Sequence, residues 1–176
     1  MLPMKLSVRG LSVGMLGVVL ALTPGPVMAD TKVLDDPVGD STAVDISQVR
    51  VAHRDSVTVR VRSAVPLTAG QVYAFWIDTA RGPGPIYRVT FQANTEFDDR
   101  LGVVRSFGTR PSRFVPCRGL RARADIFSDR PVSLRIPRRC LDNPRRVRVA
   151  VRFTDDTVNA VDWSADRRTF GPWVRR

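Results

Sequence analysis

The chain is poor in the residues that most catalysis and metal binding require. Its 176 residues include one histidine, His53, and two cysteines, Cys117 and Cys140. That inventory cannot supply the Cys/His ligand set of a common zinc site. All four methionines lie at or before Met28; beyond it Lys32 is the only lysine, and Glu96 is the only glutamate. Long apolar runs are also scarce. LSVGMLGVVLAL, Leu11–Leu22, spans 12 residues, well short of the roughly 18 that a membrane-crossing helix needs.

That run has a different explanation. Lys5 and Arg9 precede it, Pro24, Gly25 and Pro26 break it, and Val27 and Ala29 stand at −3 and −1 before Asp30. This is the layout of a secretory signal peptide over residues 1–29. Residues 30–176 then form one exported domain, a length that suits a single core. No cysteine follows the cleavage point for lipid attachment. Two cysteines in an exported chain read as a disulfide between Cys117 and Cys140.

Without Lys5 and Arg9, 26 Lys and Arg stand against 17 Asp and Glu, a net charge of +9 carried almost wholly by arginine. Either these arginines cover solvated faces, or they meet an anionic partner. Nucleic acid is not expected as that partner of an exported chain.

Strand signals dominate what remains. Val57, Val59 and Val61 alternate with Thr58, Arg60 and Arg62; Val132, Leu134 and Ile136 alternate with Ser133 and Arg135. Val147, Val149, Val151 and Phe153 alternate with Arg146, Arg148, Ala150 and Arg152. A period of two turns apolar groups to one face and charge to the other. No segment after residue 29 sustains a helical apolar period, and PRRCLDN (Pro137–Asn143) offers at most one helical turn. The fold class expected is all-β: a single antiparallel β-sandwich, jelly-roll or immunoglobulin-like, with one disulfide and an irregular C-terminal tail. In that tail Val161, Trp163, Phe170 and Trp173 are expected to anchor a wrapping segment.

Two hairpins can be registered from their faces. Pairing Val51 with Val59 sets Arg50 opposite Arg60, a like-charge pair on the outer face. Pairing Ile77 with Tyr87 builds one apolar face. The other face carries Trp76 beside Arg88, flanked by Asp78, Ala74, Thr90 and Gln92. Two readings are open for Trp76: a platform for a sugar, with Arg88 over the indole, or a core residue covered by the C-terminal segment. The candidate ligand residues are therefore Trp76, Asp78, Arg88 and Thr90, with Arg50, Arg60, Arg62 and Arg148 for an anionic polymer.

VLDDPVGDSTAVDISQVRV, Val33–Val51, raises the remaining chemistry. Gly39-Asp40-Ser41 is a fragment of the pattern around serine nucleophiles, but no histidine follows that could serve Ser41 as a C-terminal base, and His53 has inward parity. Asp35, Asp36, Asp40 and Asp45 are candidate calcium ligands. Their spacing is not that of an EF-hand loop, and Asp-Pro and Gly-Asp turn chemistry accounts for them. On spacing alone, turns are preferred and calcium is expected to matter little. No other cofactor is expected. Asp78, Asp155, Asp156 and Asp162 could pair for glycoside hydrolysis, but no motif selects two of them.

DPVGD followed by VDISQVRV, VTVRV and VYAFWIDT resembles the opening of small secreted bacterial β-sandwich proteins of unassigned function. VPCRGLRARADIFSDRPVSLRIPRRCL, RVRVAVRFTD and VDWSADRR extend that likeness over most of the chain after residue 29. Residues 33–92 are also distantly similar to DOMON and family-9 carbohydrate-binding modules. DOMON-type modules bind sugar or haem. With one histidine and no methionine after Met28, the resemblance implies sugar.

The expectation is thus a secreted, non-catalytic module binding anionic cell-envelope polymer or carbohydrate. A secreted interaction or inhibitor domain working through TARGPGP (79–85) is the alternative, and an undetected hydrolase comes third. The exported protein should begin at Asp30 and contain no free thiol. Intact mass and thiol titration check this, and two free thiols would refute it.

Overall fold

A computed structural model describes residues 30–79, 85–92, 100–126 and 128–176. Residues 1–29, where a signal peptide is expected, and residues 80–84 of the TARGPGP loop lie outside the described residues. Valine-rich alternation produces strands throughout: β1 (Thr31–Asp35), β2 (Ile46–His53), β3 (Ser56–Ser63), β4 (Val72–Asp78), β5 (Ile86–Gln92), β6 (Leu101–Val104), β7 (Arg113–Val115), β8 (Arg121–Arg123) and β9 (Val132–Pro137). After a single 3-10 turn at Arg138–Leu141 come β10 (Arg146–Asp155), β11 (Ala160–Trp163) and β12 (Val174–Arg175). The turn is the one foreseen in PRRCLDN. It ends on Asp142 and Asn143 at φ 59° and 53°, a left-handed conformation that these two residue types tolerate.

The strands form two antiparallel sheets. One runs β1-β2-β3-β9-β8, the other β11-β10-β4-β5-β6-β7, with β12 also on β10. The chain crosses between sheets at β3–β4, β7–β8 and β9–β10, so β9 returns beside β3 and β10 beside β4. Late and early chain therefore meet in both sheets.

Inward parity fills the space between them. Val57, Val59 and Val61 of β3 face Tyr73, Phe75 and Ile77 of β4 and Val147, Val149, Val151 and Phe153 of β10 in one buried cluster. Tyr73 stacks on Phe153 with centroids 4.2 Å apart. Both hairpin registers follow the face-matching argument: Val51 pairs with Val59 and Arg50 with Arg60, and Ile77 pairs with Tyr87 and Trp76 with Arg88.

The C-terminal segment wraps as an irregular strap, and its backbone adds short strand pairings. β11 pairs with Arg152–Asp155 and β12 with Arg146–Val147, on the same edge of β10. Between them Ser164 N–H donates to the Val151 carbonyl and Gly171 N–H to the Val149 carbonyl. A Cβ on Gly171 would sit 3.3 Å from the Val149 oxygen, so the close return at this point favours glycine. Trp163, Phe170 and Trp173 are half-buried, whereas Val161 is 50% exposed and does not anchor the strap.

Cys117, in the β7–β8 crossing, is bonded to Cys140 in the 3-10 turn, 23 residues on. The bond ties a sheet-to-sheet crossing to the end of β9. Replacing both cysteines with serine should lower unfolding free energy by about 3 kcal/mol, from loop closure in the unfolded chain. Urea unfolding of the variant against the wild type measures this.

Candidate functional site

Outward parity on the five-stranded sheet gathers Arg50 (β2), Arg60 and Arg62 (β3), Arg135 (β9), and Arg121 and Arg123 (β8), all exposed. Arg50 lies directly opposite Arg60 and Arg121 opposite Arg135. Ser133 bridges Arg60 to Arg123 in the same cross-strand row. With strands about 4.8 Å apart, this face spans roughly 14 Å across four strands. Asp35 is the carboxylate at its margin, and it is engaged by Gln48 Nε2 at 2.8 Å. None of the six arginines forms an ion pair with a described residue.

The outer face of the second sheet differs. Trp76 is only 1% exposed. Its indole stacks on Trp163 at 5.2 Å and meets Phe107 at 5.4 Å, and Phe107 leans on Phe170. These side chains and the small Ala74 and Ala150 make a second, minor core outside the sandwich. Trp76 is therefore not an open platform for a sugar, because the strap that crosses the sheet has taken its face.

The arginine over the indole is not Arg88 but Arg152, 5.6 Å from the ring centroid and 5.8 Å from that of Trp163. Arg88 sends a guanidinium N–H to the Thr109 carbonyl at 3.2 Å, and burial lowers its pKa. Arg148 pairs with Asp78 at 2.7 Å and lies over Phe170 and Trp173, at 4.9 and 4.6 Å. Arg146 also lies over Trp173. Thr90 is exposed beside this cluster. The outward arginines of β10 are thus structural partners of aromatic rings, and the two sheets turn their arginines to opposite sides of the molecule.

The aspartates of the β1–β2 loop divide as well. Asp35 leaves for Gln48, while Asp40 and Asp45 meet Asp162 of β11, with carboxylate oxygens all within 4.8 Å of one another. Pro37–Gly39 turns the loop back. Gly39, at φ 95° with open space around it, needs glycine for conformation alone, and its N–H donates to Asp45 Oδ2 at 2.8 Å. Asp162 has the inward parity of its cross-strand partner Phe153. It is 5% exposed and accepts the Ile46 and Trp163 N–H groups.

Asp36 joins from the side. Its pKa is pushed up to about 7, first by burial and then by Asp162, Asp40 and Asp45. Burial also raises Asp162, against the pull of its two backbone donors. Asp36, Asp40 and Asp162 sit along a cleft of about 900 Å³ that Phe107, Arg152, Trp163 and Arg168 also line.

Among the described residues, no serine or carboxylate is hydrogen-bonded to His53 as a triad would require. His53 is fully buried, with Nδ1 3.3 Å from the Val174 carbonyl, in the core beneath the last strand. Asp78 pairs with Arg148, and Asp155, hydrogen-bonded to Thr157 and Gln71, lies seven residues further along β10. Of the carboxylates considered for glycoside hydrolysis, Asp78 is thus held at the opposite end of β10 from Asp155 and Asp162. No family model matches the chain, and neither the curated proteins nor the solved structures provide a match.

Burial, with the charges of Arg138 and Arg176, holds the His53 pKa below its ordinary 6.5, although the Val174 carbonyl opposes this. The unfolded chain then takes up a proton at higher pH than the folded one. The stability from neutral His53 is full above about pH 6.5 and is lost as pH falls below it. Asp36 and Asp162, whose pKa values are raised, gain stability as they protonate over the same range. The His53 contribution is therefore read as a difference: between pH 7.5 and 5 the urea midpoint of His53→Gln should rise relative to that of the wild type.

Proposed function

We propose that this chain is an exported, non-catalytic β-sandwich that holds an anionic cell-envelope polymer against the outer face of its five-stranded sheet. The observation that carries this reading is the pair of direct cross-strand contacts, Arg50 with Arg60 and Arg121 with Arg135. Like charges directly opposite each other destabilise a sheet, and no carboxylate of the described residues pairs with these four. Fold stability does not account for the arrangement, whereas a polyanion lying across the strands would. The contrast with β10 strengthens it, since arginines there are matched to Asp78 and to aromatic rings.

The strands set the footprint. Charges recur at about 4.8 Å across strands and about 6.8 Å along them, a spacing that suits a flexible polymer of repeating phosphate or carboxylate groups. Neutral sugar is the weaker reading, because the ring stacked on Trp76 belongs to the protein itself. An inhibitor reading rests on the TARGPGP loop, most of which lies outside the described residues.

Cosedimentation with an isolated anionic wall polymer, with a neutral polysaccharide as control, tests the proposal. Binding should weaken steeply as salt shortens the screening length below about 8 Å. Arg60→Glu with Arg123→Glu and Arg135→Glu should weaken it at least about tenfold and leave the melting temperature level or raised. Binding that is indifferent to salt and to these changes would leave the arginines as solvated surface.

A further inference from the structure

We infer that Asp40, Asp45 and Asp162 form a calcium site that fastens the β1–β2 loop to β11. Three carboxylates with oxygens within 4.8 Å of one another match the span of a single coordination sphere, since calcium–oxygen bonds of 2.3–2.6 Å place opposed ligands about 5 Å apart. All three are hard oxygen donors, which suits calcium and not a soft transition metal.

An independent observation comes from burial. Asp45 is only 3% exposed, and its Oδ1 is fully enclosed with no donor among the described residues. Asp36 Oδ2, beside the cluster, is likewise enclosed and without a donor. A buried charge left unpaired is strongly destabilising, yet none of these aspartates forms an ion pair with a described lysine or arginine. Arg152 lines the same cleft, but its guanidinium lies over Trp76 and Trp163. A divalent cation meets the need that the protein's own cations do not.

The local structure prepares the ligands. The Gly39 N–H fixes one oxygen of Asp45 and leaves the other for the ion. The Ile46 and Trp163 N–H groups orient Asp162, and each of its oxygens retains a lone pair. Loop spacing and turn chemistry favoured turns over calcium for Asp35, Asp36, Asp40 and Asp45, and a calcium site departs from that expectation. The ligand set here is assembled from residues 122 positions apart, Asp40 and Asp162, which no loop pattern would reveal.

The purified protein is stripped with chelator and titrated with calcium, with magnesium as a separate arm. At a hundredfold excess over the dissociation constant, the melting temperature should rise by about 5–10 °C, with magnesium less effective because it demands a tighter octahedral shell. Terbium should show saturable luminescence sensitised by Trp163, whose residue neighbours Asp162, and calcium should displace it. Asp40→Asn is the decisive variant, because Asp40 is exposed and its loss leaves the fold's hydrogen bonds in place. It should lower calcium affinity at least tenfold while the chelated melting temperature holds or rises. Asp162→Asn should abolish binding. No thermal shift at millimolar calcium, or equal calcium affinity in the wild type and Asp40→Asn, would overturn the inference.

Discussion

Side-chain alternation along β3, β4 and β10 is the constraint on which the rest depends. Once Val57, Val59 and Val61, Tyr73, Phe75 and Ile77, and Val147, Val149, Val151 and Phe153 occupy inward positions of these strands, the outward positions between them are assigned as well, because successive residues must point to opposite faces. A slip of one residue would bury Arg60 or Arg148, at a cost no core of this size could offset. The register is therefore secure, and the outer faces are as definite as the core. Tyr73 stacked on Phe153 and the disulfide at Cys117–Cys140 reinforce that packing.

The same residue type then has two fates. On β10, arginine is placed beside aromatic rings, where its flat, weakly hydrated guanidinium can stack while keeping a carboxylate contact. Arg146, Arg148 and Arg152 thereby help to hold the C-terminal strap over the second sheet. On β2, β3, β8 and β9 the arginines face one another instead. Their charge is the same and their surroundings are opposite, so net charge alone cannot distinguish structural from available cations.

Much of the fold was legible in sequence because it rests on local periodicity. Both hairpin registers, the two-sheet class and the single turn after Pro137 follow from it. The candidate sites were less legible because they depend on contacts between distant segments. Trp76 sits in a strand whose outward face looked open, and only the path of residues 163–173 closes it. Arg121 and Arg123 belong to a strand of three residues, too short for alternation to announce it. Asp162 lies in a four-residue strand, where inward parity, and hence a buried carboxylate, could be read only once its pairing with β10 was known. Asp35, by contrast, was grouped with Asp36 through adjacency, although neighbours on a strand face opposite ways.

The strap along β10 also bears on how copies of the molecule behave toward one another. An unpaired strand edge is a template on which a second chain can add. Here β10, the longest strand at 10 residues, has its free ladder occupied by β11, Ser164, Gly171 and β12. The outermost described strands are all brief: β1 has five residues, β7 and β8 three each, and β11 four. Lys32, Arg113, Arg121 and Arg123 add charge along them. A sandwich rich in valine thus presents short edge strands among its described residues, and the tail that occupies the free ladder of β10 removes the longest template on which a second copy could pair.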